Sequence, residues 1–157
     1  MNRIEQHEFG ILDATSSLRD QMMDMLTNAD LDFAFAKNPT LGDLCKGMGD
    51  VELSYIDSFK TYKQDWSICL DDPQMAHSVE KLKSWYKQLD TDLKAALSAI
   101  PAGDVDSKTI DRGGFTPPVG VQFHVYREAL LIFYGKVTVY LNALGKPLPE
   151  RWQMWIG

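Results

Sequence analysis

Catalytic and ligating residue types are scarce in this 157-residue chain. It has two cysteines, Cys45 and Cys69, and three histidines, His7, His77 and His124. Two cysteines 24 positions apart make neither a CxxC pair nor a multi-cysteine framework, which excludes a zinc knuckle and a disulfide scaffold and leaves two reduced thiols. There is no GxSxG, P-loop, HExxH or Rossmann glycine fingerprint, so no local motif brings together a nucleophile, a base and an oxyanion hole. No uncharged apolar run is long enough to cross a bilayer, and the N-terminal MNRIEQHEFG carries charges where a signal peptide needs an apolar stretch. A cytoplasmic, non-membrane protein is the expectation. Positive charge is also short, with 16 Lys and Arg against 22 Asp and Glu for a net charge of −6, which disfavours nucleic acid as a partner.

What the chain has is apolar residues at helical spacing. Hydrophobic residues make up 45% of it, enough to bury a core in one domain spanning residues 1–157. Four segments repeat every three or four positions. The first helix is expected from about residue 4 to 28, with Ile4, Ile11, Thr15, Leu18, Met22, Met25 and Leu26 facing inward. The connector 29–38 follows, its Phe33 and Phe35 plugging one end. The second helix begins where Pro39 precedes Thr40, with Asp43 three positions later, close to a capping box. Leu41, Leu44, Met48, Val51, Tyr55, Phe59 and Tyr62 form its core stripe. Gly47 and Gly49 interrupt that helix at a cost of about 1 kcal/mol each, so either close helix approach or a pocket floor should benefit from them.

Asp72 followed by Pro73 predicts the start of the third helix, which closes before Pro101. Its inner face is Met75, Val79, Leu82, Tyr86, Leu89, Leu93, Ala96 and Ile100. The segment 102–115 breaks the pattern, with a short extended piece at Lys108 to Asp111. Thr116 and Pro117 are expected to cap the fourth helix, with Val121, Val125, Ala129, Ile132, Phe133, Val137, Tyr140 and Leu144 inward, Gly145 at its C-cap and Pro147 beyond. The fold class is therefore all-α, a four-helix bundle with an irregular or extended segment before the last helix. Trp152 and Trp155 in the C-terminal tail should pack back on the bundle or against a second copy.

Few side chains suggest chemistry. His124 and Glu128 lie one helical turn apart and could share a cation, although a solvated helix edge produces the same spacing. Glu52 flanks the core stripe and could turn inward toward the fourth helix. Tyr55, Tyr126 and Tyr140 can pack their rings while their hydroxyls seek a polar partner.

The paired runs PTLGDLCKGMGDVE and YGKVTVYLNALGKPLP resemble the DinB-like superfamily, also met under the YfiT name, across essentially the whole chain. That resemblance implies a four-helix bundle, homodimerisation, and in many members a divalent metal held by three histidines, with thiol-dependent transfer chemistry. Laid on this chain, the three histidine positions fall at Gly47, Ala129 and Phe133, and Lys136 replaces a glutamine. None of these side chains is a metal ligand, so the expectation is a member without the family metal and without a cofactor. The ligand-pocket candidates are Gly47, Glu52, Tyr55, Tyr126, Ala129 and Phe133. They would take a small apolar or amphipathic ligand, or else the bundle serves as a homodimeric interaction module. The alternative is a metal-dependent thiol transferase or hydrolase with relocated ligands, His124 and Glu128 among them.

Overall fold

The computed structural model describes residues 1–156. Its helices are α1 (Arg3–His7), α2 (Phe9–Met25), α3 (Asn28–Leu31), α4 (Leu41–Thr61), α5 (Val79–Ser98), α6 (Asp104–Ser107), α7 (Val119–Ala143) and α8 (Glu150–Trp155), with a 3-10 turn at Met75–His77. Among the described residues there is no strand, only isolated bridges pairing Lys63 with Asp111 and Thr109 with Pro118. The expected extended piece at Lys108 to Asp111 corresponds to these bridges.

The four long helices α2, α4, α5 and α7 form the bundle. Both α4 and α2 pack against α5 and α7, so α2 and α4 face each other across one diagonal and α5 and α7 across the other. The links 26–40 and 99–118 therefore cross the ends of the bundle diagonally, while only the α4–α5 link joins neighbours.

Local chemistry sets the helix ends. Thr40 accepts a hydrogen bond from the Asp43 amide and starts α4 where its sequence predicts. The other boundaries differ. The first helix is interrupted at Glu8 and ends at Met25, because Thr27 and Asp30 form a reciprocal capping box that starts α3. Asp72 accepts from the Gln74 amide and makes a turn rather than a helix start, and Ser78 caps α5 six residues after the expected cap. The intervening Met75 and Ala76 are buried beside α4. The fourth helix starts after Pro118 rather than at Thr116, since Pro117 offers its carbonyl to the Ile110 amide.

The two predicted uses of glycine also separate. A Cβ on Gly49 would collide with the Trp85 ring, and one on Gly42 with the Ala76 carbonyl, so these two glycines permit close approach to α5 and to the turn preceding it. Gly47 has open space around it.

The rotation of α7 differs from the expected one. Gln122, Leu130, Tyr134 and Leu141 are buried, whereas Val121 and Ile132 are 43% and 60% exposed. Phe33 and Phe35 meet the Tyr140 ring edge-on at 6.3 and 5.1 Å, closing one end of the bundle. Trp152 is fully buried and donates to the Leu18 carbonyl, while Trp155 is exposed. The tail thus returns one of its two tryptophans to the core.

Candidate functional site

Two groups emerge from the six pocket candidates. Gly47, Ala129 and Phe133 line one cleft of about 380 Å³ between α4 and α7. Leu44, Met48 and Val51 form its α4 wall, Ile132 adds to its α7 wall, and Asp43 and Lys136 bring one charge of each sign. The cleft exists because Gly47 and Ala129 place almost no side chain between the two helices, while Phe133 is buried at its base. Phe133 therefore does not close the gap. The Tyr140 hydroxyl donates to the Pro39 carbonyl at 2.7 Å and secures the Pro39 end of the cleft.

Glu52 and Tyr126 belong instead to a buried polar cluster in the bundle core. Arg19 from α2 crosses the diagonal, pairs through Nη1 with Glu52 Oε2, and donates from Nη2 to Asp90 Oδ1 at 2.8 Å. Its guanidinium carbon stands 4.1 Å from the centroid of the Tyr86 ring. The Tyr86 hydroxyl donates to the Cys45 carbonyl and that of Tyr134 to the Thr15 carbonyl, both across helix pairs. Burial opposes the Arg19 charge, but Glu52 and Asp90 hold it above the ordinary arginine value. Burial pushes the Glu52 carboxyl up, against the opposing pull of Arg19. Burial likewise pushes the Cys45 thiol up to about 12, leaving it an inert neutral side chain.

Tyr55 lies nearer the far end of α4. Its ring meets Tyr126 at 5.4 Å and Trp66 at 5.7 Å, and its hydroxyl accepts a hydrogen bond from Arg112.

The metal positions can be tested by donor chemistry. The cleft offers one carboxylate, Asp43, opposite an ammonium, and its Gly, Ala and Phe positions carry no lone pairs, so the donor set does not fit a divalent cation. His124 is half-buried beside the exposed Glu128, and Glu52 is committed to Arg19. Among the described residues, no three His, Cys, Asp or Glu side chains converge as a metal site. The relocated set of His124, Glu128 and Glu52 is thus not assembled.

Sequence reading missed Arg19, Asp90, Gln122 and Arg112. For Arg19 a signal existed, since it shares the inward spacing of Thr15, Met22 and Met23. For Arg112, in an irregular loop, there was none.

Four long helices with two diagonal connections make a four-helix bundle, with a cleft at the α4–α7 seam. The crystal structure of a DinB-like protein from Bacillus subtilis, YjoA, matches this fold with a TM-score of 0.69, over 96% of this chain and 98% of that one, at 15% sequence identity. At that identity the likeness carries the fold. No protein-family model matches the sequence, and no curated protein matches it. No helix of the described residues is long and apolar enough to cross a membrane.

Proposed function

We propose that the chain is a metal-free DinB-like bundle whose α4–α7 cleft binds a small apolar or amphipathic ligand. The observation that carries this reading is the cleft itself. Its volume falls in the roughly 300 to 1,000 Å³ range of small-molecule sites, its walls are apolar, and Asp43 and Lys136 supply the few polar groups that orient a ligand. The family resemblance would put metal-binding histidines at Gly47, Ala129 and Phe133, and all three of these residues line the cleft. Binding, not metal-assisted transfer, is what such a site supports. A cytoplasmic setting without nucleic-acid partners accompanies this reading and suits two unpaired thiols, one of them exposed.

The test is titration with 1-anilinonaphthalene-8-sulfonate, an amphipathic fluorescent probe. The native protein should bind one dye per chain saturably. Ala129→Trp, which fills the cleft from a half-buried position, should weaken binding by roughly tenfold or more while leaving the helical circular dichroism unchanged. Equal affinity in that variant would remove the cleft as the site.

A second reading, a homodimeric interaction module, is favoured by a separate observation. Val121, Ile132 and Val139 expose apolar surface along α7, at 43%, 60% and 50%.

A further inference from the structure

The polar end of the bundle, away from the cleft, holds a cation with no carboxylate partner among the described residues. The loop after α4 turns at Tyr62, whose backbone is left-handed, and pairs with the loop before α7. Gln64 donates its amide to the Asp111 carbonyl, and the Asp111 amide donates to that of Tyr62. This pairing brings Trp66 to Arg112. The Arg112 guanidinium carbon lies 5.2 Å from the Trp66 ring centroid and 5.5 Å from that of Tyr55.

Arg112 is held rigidly. Its Nη1 donates to Gln122 Oε1 at 2.6 Å and to the Tyr55 hydroxyl at 3.3 Å. Gln122 is itself fully buried and donates to Gln64 Oε1 at 2.7 Å and to the Ser58 hydroxyl at 3.1 Å, and the Gln64 amide donates on to Ser54. This buried chain accounts for one edge of the guanidinium. On the other edge, Nε and Nη2 make no hydrogen bond among the described residues and are not closed off from solvent.

Nor does a described carboxylate come within 4.0 Å of the guanidinium. The nearby acids are engaged elsewhere. Asp111 Oδ1 accepts from the Gly113 amide, and Asp65 Oδ1 accepts from Ser67. A neutral donor would satisfy Gln122 equally well, and the charge is met only by the faces of Trp66 and Tyr55, which leaves the donors Nε and Nη2 without an acceptor. A half-buried guanidinium whose two remaining donors lack an acceptor gains from an incoming anion.

We infer that Arg112, with Trp66 beside it, is a recognition site for a small organic carboxylate with a flat apolar body. Two free donors in a planar fork match the two oxygens of a carboxylate. Trp66 is 53% exposed and lies against the guanidinium, and its ring provides the apolar contact for the rest of the molecule. One guanidinium on a chain of net charge −6 suits a single negative charge rather than a polyanion.

Isothermal titration calorimetry with sodium benzoate tests this, with benzyl alcohol and inorganic phosphate as comparisons. Benzoate should bind saturably at one per chain, and benzyl alcohol at least about tenfold more weakly, since it lacks the charge. Arg112→Gln and Trp66→Ala should each weaken benzoate by about tenfold or more. Trp66→Ala leaves the buried glutamine chain intact, so it decides the matter if Arg112→Gln disturbs folding. Absence of saturable benzoate binding, undiminished binding in Trp66→Ala, or phosphate binding tighter than benzoate would overturn the assignment. Ala129→Trp should leave benzoate affinity unchanged. A loss there would place benzoate in the α4–α7 cleft and overturn the Arg112 site without touching the cleft reading.

Discussion

Arg19 shows how one residue joins three helices. Its side chain is fully buried, and its two terminal nitrogens reach Glu52 on α4 and Asp90 on α5. Removing one partner from a buried pair leaves the other charge desolvated and unpaired, which costs about 3–5 kcal/mol, whereas replacing both by apolar groups of similar volume is often neutral. Arg19→Ala should therefore destabilise the fold by about that amount in urea unfolding. The double variant Arg19→Met/Glu52→Leu should recover most of the loss. If the double variant is as unstable as the sum of its single changes, the pair is not coupled as described. The inward turn of Glu52 was legible from its place flanking Val51 at the edge of the core stripe. Its partner was not, because contacts between residues 33 positions apart depend on which helices share a diagonal.

Within α4, two glycines two positions apart have opposite roles. Gly49 lies against Trp85, so Gly49→Ala forces ring or backbone displacement and should cost about 1–3 kcal/mol. Gly47 faces open space in the cleft, so Gly47→Ala should stabilise the helix by about 0.5–1 kcal/mol. Thermal unfolding of the two variants reads both signs, and a destabilised Gly47→Ala would show that the cleft is tighter than described. Helix starts were legible where a side chain caps alone, as Thr40 does. They were misplaced at Asp72 and Thr116, where a cap-like residue followed by proline instead serves a turn or a bridge. The rotation of α7 was only partly legible. That helix is apolar on nearly every face, and periodicity cannot choose a buried side when every side qualifies.

For the whole molecule, the apolar residues left outside by that rotation bear on assembly. Homodimerisation through the outer face of α7 predicts that Ile132→Lys, at a position 60% exposed, shifts the protein from dimer to monomer in light scattering at micromolar concentration while its melting curve retains a folded transition. A native protein that is monomeric under those conditions would remove the dimer reading. The all-α class, four long helices and the inward position of most of their apolar residues follow from the sequence alone, because periodicity and capping act over neighbours a few residues apart. Only the tertiary structure decided that α2 faces α4 across a diagonal, that Gly47 and Ala129 line an open cleft while Gly49 touches Trp85, and that Arg112 meets Trp66 and Gln122. Each of these depends on segments brought together from distant parts of the chain, and their relative placement is set by packing the whole core at once.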